Sequence, residues 1–298
     1  METKPLVSVI IATYNRADLL IEAIGSVRDQ LYNNLELIVA DDGSTDETRT
    51  RVAALDTSIH YLGLDHSGRP SVARNRALSV ACGEFVAFLD DDDLWRQEKL
   101  LLQVALFDRE PALGFVYSDL CLLHGDGSVS PPVLKPHQKL SGHILDALIE
   151  DCFIYPSTVM VRRTLLEAVG RFEESFSISE DYDLWLRLAQ RAPAGFIGQP
   201  LVLVRRHPTN ISGQRELETY QNAIAALERL QANYTLSRRQ RLHLRLALAR
   251  MHIRTGLVQT EQGETLGARQ HFVRALRLNP LQRRGWQLLL DDLGSRRP

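Results

Sequence analysis

Four consecutive aspartates, Asp90, Asp91, Asp92 and Asp93, close an apolar, β-rich run in the stretch EFVAFLDDDDLW at residues 84–95. A short hydrophobic run bounded by Gly83 reads as a buried strand, and open α/β sheets bind ligands just beyond the carboxyl ends of such strands. The carboxylates therefore stand where a ligand would stand. Four like charges in so short a span repel, so either protonation neutralises some of them or a cation holds them together. A hard divalent ion, Mg²⁺ or Mn²⁺, suits oxygen donors and commonly shares its shell between one or two carboxylates and a substrate phosphate. A solvated acidic helix N-terminus is the plainer alternative, because carboxylates are favourable there.

Two other segments carry groups of the same kind. A strand expected over 35–40 ends in Asp41-Asp42-Gly43, again at a carboxyl end. An amphipathic helix beginning near Ser179 opens with Glu180, Asp181 and Asp183. Carboxylates in a first turn stabilise a helix, and one held there and kept ionised by the dipole is also well placed as a general base. A helix expected over 71–82 carries Arg74, Asn75 and Arg76 near its start, where helix N–H groups and a guanidinium could meet a phosphate. For either arginine alone, ordinary surface charge is the simpler reading.

The elements that must position these groups follow from periodicity. Residues 6–12, LVSVIIA, form a β-branched run that predicts the first buried strand, and Thr13-Tyr14-Asn15-Arg16 follows as its loop. Leu19, Leu20, Ala23, Ile24 and Val27 recur at helical spacing over 18–29. After the second strand, Ser44 with Glu47 has the form of a capping box. A third strand is expected over 59–64, Gly83 is expected to end the helix that follows, and a helix over 96–108 follows the acidic run. Four strand–helix repeats in about 110 residues predict an α/β fold with a mostly parallel sheet between helices. They contain no G-x-G-x-x-G turn and no Walker loop, which disfavours dinucleotide-binding and P-loop enzymes.

Further along, a strand over 114–123 leads to a Gly125-Asp126-Gly127 turn, which suggests a hairpin, and to a Pro-broken segment. A helix over 142–150 and strands near 158–161 and 201–204 complete this part, and the last delivers Arg205-Arg206-His207. Beyond about residue 216 helix formers dominate. Residues 215–298 hold 15 arginines against 7 carboxylates, a net of +8, while residues 1–214 carry −10. An Arg-rich tail of this kind could dock on an anionic membrane or another partner, or form a solvated helical face. Within it, residues 267–280 look like the second helix of a tetratricopeptide repeat. Cys82, Cys121 and Cys152 have no metal spacing and fit a reducing compartment. With neither a signal peptide nor a membrane-length apolar run, the expectation is a cytoplasmic protein with at most peripheral contact with the inner membrane face.

Taken together, VSVIIATYNR, LIVADDGSTDET, GRPSVARNRAL, GEFVAFLDDDD, SEDYDLWLRL and RRHPTNIS resemble a family 2 glycosyltransferase of the GT-A fold. The six segments in this order are far more specific than any one of them, and they cover residues 5–215. The resemblance implies a glycosyltransferase domain over 1–215, with a nucleotide-binding part over 1–110 and an acceptor part over 111–215, followed by a helical extension over 216–298. It implies an inverting enzyme that moves a sugar from a nucleotide diphosphate sugar, with UDP favoured, to an acceptor hydroxyl in glycan assembly. The loop Thr13, Tyr14, Asn15 and Arg16 would face the donor, with Tyr14 near the base and Asp42 accepting from its ring N–H. Arg74 would face the diphosphate. Asp90 and Asp91 would contact sugar or ribose, Asp92 would ligate the Mn²⁺ or Mg²⁺ ion, and His207 would approach the metal or diphosphate. Asp181 matches the catalytic base, with Glu180 beside it to orient the acceptor. The absence of a Q-x-x-R-W motif argues against a processive synthase. A nucleotidyltransferase would carry a Gly-rich basic loop where Thr-Tyr-Asn-Arg stands, and a catalytically silent scaffold would have no need of intact carboxylates at three sites.

Overall fold

The computed structural model of the protein describes residues 4–206, 215–283 and 285–288. The chain divides into two compact units: Met1–Ile144 with Phe153–Pro208, and Leu145–Cys152 with Thr209–Pro298. The first opens with β1 (Val7–Thr13), α1 (Ala17–Arg28), β2 (Leu35–Asp41), α2 (Thr48–Leu55), β3 (His60–Gly63), α3 (Pro70–Val80) and β4 (Phe85–Asp90). It continues through β5 (Leu94–Trp95), α4 (Lys99–Arg109) and β6 (Phe115–Leu123). A short α5 (Leu145–Glu150) belongs to the second unit, and the first resumes with β7 (Met160–Arg162), α6 (Arg163–Val169), α7 (Glu180–Arg191) and β8 (Ala194–Arg205).

All eight strands join one sheet in the order β3-β2-β1-β4-β7-β6-β8-β5. The first four pair in parallel, as the repeats predict, whereas β7 runs antiparallel to both β4 and β6, and β5 antiparallel to β8. The sheet is therefore mixed. Its central strands are buried on both faces, which is why they read as continuous apolar runs. Leu20, Ala23, Ile24 and Val27 of α1 bury one stripe against the core that includes Val7, Val9, Ile11, Phe85 and Ala87. Register sets the site. Thr13 pairs with Asp41 and Ala12 with Asp90, so three neighbouring strands end side by side with their polar residues level.

Several local expectations need correction. Ser44 and Glu47 make no capping box: α2 begins at Thr48, whose N–H donates to Asp46 Oδ1 at 3.0 Å, while the Ser44 hydroxyl turns back to Asp41 Oδ1 at 2.6 Å. Gly83 does not cap α3, which ends at Val80 with Ala81 already extended. A Cβ at Gly83 would lie 2.5 Å from the Ser8 backbone nitrogen and 2.8 Å from the Leu6 carbonyl oxygen, so glycine is needed where β4 starts against β1. Helix α4 starts at Lys99 rather than Arg96. Helix α6 adds an element for which the sequence pattern gives no signal, and β8 runs 12 residues, its pairing with β6 shifting register around Pro200.

In the second unit, α8 (Glu216–Asn233), α9 (Arg238–Glu261) and α10 (Thr265–Leu278) follow one another, and residues 285–288 are helical again. Ser237 caps α9 in a true capping box, accepting from the Gln240 N–H at 3.2 Å while the Gln240 side chain accepts from the Ser237 N–H at 3.0 Å. Helices α9 and α10 form an antiparallel hairpin around Ile253, Ala268, Phe272 and Ala275. Gly256 makes room for the Phe272 ring, which would lie 2.5 Å from a Cβ there. Among the described residues no helix is long and apolar enough to cross a membrane.

Candidate functional site

The ends of β1 and β4, helix α3 and the start of α7 join in one charged network, with the end of β2 paired beside β1. At its centre is Arg74, a buried residue of α3, not the surface charge that a single arginine suggests. One arm of its guanidinium donates to Asp90 Oδ1 at 2.7 Å and the other pairs with Glu180. Burial works against the charged form, but Asp90, Glu180 and Asp181 outweigh it and hold Arg74 firmly protonated. Phe172 lies under the guanidinium at 5.5 Å, fixing its plane. One residue thus ties the acidic end of β4 to the acidic first turn of α7.

A second arginine serves the rest of the run. Arg16 Nη1 donates to Asp91 Oδ1 at 3.0 Å and to Asp92 Oδ2 at 2.9 Å, and the Thr13 hydroxyl donates to the other Asp91 oxygen at 2.8 Å. Asp93 points the other way, into the protein. It accepts from the Ser157 hydroxyl at 2.6 Å and from the Arg205 N–H at 3.1 Å, and Ser157 in turn accepts from the Asp90 N–H at 3.1 Å. The Arg205 side chain donates to the Asp92 carbonyl at 3.1 Å and to Glu22 at 2.6 Å. The aspartate turn is thereby held from both sides by Ser157 and Arg205. Ser157 sits on a 3-10 turn, Pro156–Thr158, and carries no sequence signal that would have singled it out.

Repulsion within the run remains visible despite these partners. Burial raises Asp91 to about 6, with Arg16 opposing and Asp92 adding to the shift. Asp90 and Asp93 are also pushed above the usual carboxylate range, first by burial. Arginine partners thus offset part of the crowding, and burial moves three of the four carboxyls towards the protonated form.

At the start of α7, Ser179 adopts a left-handed conformation with φ 60°, and the helix proper begins at Glu180. Glu180 is held by Arg74, whereas Asp181 is half-buried, its Oδ1 accepting from the Tyr182 N–H at 2.8 Å. Burial, then the charge of Glu180, raise Asp181 to about 7. The expected dipole effect, a carboxylate kept ionised by the helix N-terminus, is outweighed here by desolvation and a like charge.

The predicted nucleoside residues sit together but are differently engaged. Tyr14 is 40 % exposed and stacks on His66 with ring centroids 4.0 Å apart and an interplanar angle of 20°. Asp42 is almost fully buried, and its carboxylate accepts from the Ser67 N–H at 2.9 Å, the Ser67 hydroxyl at 2.7 Å and the Gly68 N–H at 2.8 Å. In this structure Asp42 fastens the 66–68 loop that carries the stacking histidine. Asn15, at φ 50°, accepts from the Thr45 and Asp46 N–H groups at 2.7 and 3.3 Å, stapling the loop after β1 to the loop after β2. His207 lies outside the described residues.

Among the described residues no group of three or more His, Cys, Asp or Glu is arranged to hold a metal. The donor chemistry nevertheless fits Mg²⁺ or Mn²⁺ in the mode where one or two carboxylates share the ion with a diphosphate. Asp92, its side chain 12 % exposed, and Asp90, at 32 %, present hard oxygens on a turn with more negative charge than its arginines neutralise.

The profile of glycosyl transferase family 2 matches residues 8–170. The chain is 36% identical over 184 residues to an Escherichia coli protein, UDP-Glc:alpha-D-GlcNAc-diphosphoundecaprenol beta-1,3-glucosyltransferase WfgD, covering 61% of this chain and 69% of that one. It is 34% identical over 202 residues to an uncharacterized glycosyltransferase of Rickettsia conorii, covering 67% of this chain and only 32% of the rickettsial protein. This chain thus spans about a third of the length of that relative and of its Rickettsia felis counterpart, where the share is 33%. Among solved structures it is similar to a Staphylococcus aureus TarS fragment in complex with UDP-GlcNAc, with a TM-score of 0.67 at 22% identity, over 92% of this chain and 83% of that one. That likeness bears on the fold, a GT-A sheet flanked by helices with a helical extension, as expected from the motifs. The match of the family profile over more than half of the sequence, on a sheet whose strand ends gather the motif carboxylates, leads to one conclusion: the chain belongs to glycosyl transferase family 2.

Proposed function

We propose that the protein is an inverting, divalent-cation-dependent glycosyltransferase that moves a hexose from a UDP-sugar to a hydroxyl of a lipid-linked glycan. The observation that carries this reading is the Arg74 bridge, which places the Asp90–Asp92 turn and the Glu180–Asp181 turn in one electrostatic unit. The UDP-sugar and the lipid-linked acceptor are taken over from the printed name of the Escherichia coli relative.

In this reading Tyr14 offers an aromatic face to the uracil, and Asp42 acts through the 66–68 loop. Asp92, with Asp90 beside it, would hold the ion, which when bound supplies positive charge to the departing nucleoside diphosphate. Arg16 and Thr13 keep Asp91 in place and so fix the backbone of the turn. Asp181 takes the proton from the acceptor hydroxyl as that oxygen attacks the anomeric carbon from the face opposite the diphosphate. Its pKa near 7 is matched to that task, because a base poised near the working pH combines availability with driving force. Glu180, locked by Arg74, holds the turn on which Asp181 rides.

The test is Asp181→Asn. A positioned base supplies about 10² to 10⁴ in rate, so the variant should bind UDP with Mn²⁺ as the parent does and lose transfer by at least that factor. Near-parental turnover would remove Asp181 from the role. The donor is found by thermal-shift screening of nucleotide sugars with Mn²⁺, since a bound ligand raises the melting temperature with occupancy.

A further inference from the structure

The helical unit carries a basic, partly apolar end that the transfer reaction does not use. On α9, Arg238, Arg241, Leu242 and Arg245 fall at i, i+3, i+4 and i+7, one exposed stripe. Arg245 donates to the Leu278 carbonyl at 3.0 Å, so this stripe meets the C-terminal end of α10, where Arg277 is exposed. Just beyond lie Leu281, 89% exposed, and Trp286, 49% exposed with its indole N–H on the Pro280 carbonyl at 2.9 Å. Residues 234–288 contain 11 arginines and only two carboxylates, Glu261 and Glu264. Both carboxylates sit at the opposite end of the α9–α10 hairpin, where Glu264 approaches Gln259. The acids that face α9 from α5 meet other residues: Asp146 pairs with Arg239, and Glu150 with His243.

Arginines interleaved with exposed Leu and Trp are the composition of a surface that lies in a lipid headgroup layer: the guanidiniums meet anionic headgroups while Leu and Trp enter the acyl boundary. A solvated helical face would carry mixed charge and few large apolar groups. We propose that the end of the helical unit formed by Arg238, Arg241, Leu242, Arg245, Arg277, Leu281 and Trp286 docks on an anionic lipid bilayer. The inference goes beyond the transfer reaction, and its test needs neither donor nor acceptor, so it fails or stands separately from the catalytic reading.

The protein reports on the contact itself. Of its three tryptophans, Trp95 and Trp185 are 5% and 0% exposed, so changes in acrylamide quenching arise from Trp286. Full-length protein is mixed with vesicles of phosphatidylcholine alone or with an equal part of phosphatidylglycerol. The expected result is co-flotation with the anionic vesicles only, a blue shift and shielding of Trp286, and release at about 1 M salt, where the screening length is ~3 Å. Replacing Arg241, Arg245 and Arg277 together by glutamine should weaken partitioning roughly 100-fold, from the per-arginine contribution near a charged membrane. Leu281→Ser touches a side chain too exposed to matter for folding and should still reduce partitioning severalfold. Failure to bind anionic vesicles at low salt, equal binding to neutral ones, or concentration-dependent shielding of Trp286 by self-association without vesicles would each overturn the proposal.

Discussion

Replacing Arg74 by methionine probes the network at its centre. Arg74 is 7% exposed and holds two carboxylates, Glu180 at 6% exposure and Asp90 on a side chain that keeps 32%. Removing one partner of a buried pair costs about 3 to 5 kcal/mol because a charge is left uncompensated. Glu180 bears most of that, while water reaching Asp90 reduces its share, which puts the expected loss near 3 kcal/mol at pH 8. The sign of the pH dependence follows. Without Arg74 the folded-state pKa of Asp90, already raised by burial, lies further above its unfolded value, so this group favours the fold when protonated and loses that contribution as pH rises through the folded value. The deficit should therefore shrink as pH falls from about 8 towards about 5. Urea denaturation of parent and variant at both pH values measures it, with linear extrapolation giving each free energy. Lysine at 74 should restore only part, since a single ammonium lacks the two-armed fork that reaches both acids. A loss under about 1 kcal/mol, or one independent of pH, would refute the view that Arg74 compensates buried charge.

Other consequences can be measured directly. The rate kcat/KM of the parent should rise with pH through about 7 and level off above it, as Asp181 gives up its proton. The same raised pKa means that Asp181 favours the fold at low pH and loses that contribution as pH rises through about 7. Asp181→Asn should then be the more stable protein at pH 8, by melting temperature, while being the poorer catalyst. Asp92→Asn should weaken Mn²⁺ binding in the presence of UDP, read by Mn²⁺ electron paramagnetic resonance, and chelation should abolish transfer until Mn²⁺ or Mg²⁺ is returned. Gly83→Ala sets a Cβ 2.5 Å from the Ser8 backbone nitrogen, a contact that only backbone movement relieves, and should cost about 1 to 3 kcal/mol in denaturation without changing the site.

The strand–helix repeats were legible because buried parallel strands need apolar residues on both faces and so print continuous runs such as VSVIIAT and FVAFLD. The acidic ends of those strands were legible for the same reason: nothing in a core explains them. What the sequence did not show was how each polar group is spent. Asp42 reads as a ligand contact, and folding also brings the backbone of Ser67 and Gly68 onto its carboxylate. Asn15 reads as part of a donor loop, and the fold adds a second role, stapling two loops through a left-handed φ that no spacing rule reveals. Ser157 is 64 residues from Asp93 in sequence and meets it only because β7 inserts between β4 and β6. The antiparallel strands were harder to read, since β7 is three residues long and β5 two. Strands that short give too few alternations to establish a period.

The division of labour between the two arginines bears on how such a site stays assembled between turnovers. Each of them serves two acids, Arg74 across two elements and Arg16 within one turn. Arg74 is buried and joins α3 to α7, so its charge acts first as structure: it ties the aspartate turn to the turn that carries Asp181. Arg16, its side chain 23% exposed, is within reach of solvent, and in the proposed reading a cation held by Asp92 would compete with it. A bridge that must persist is placed where water cannot screen it, and a contact that must yield is placed where water can. The geometry therefore predicts unequal consequences. Arg16→Met should leave the melting temperature nearly intact at pH 6, where part of the Asp91 population is already protonated, and Arg74→Met should not.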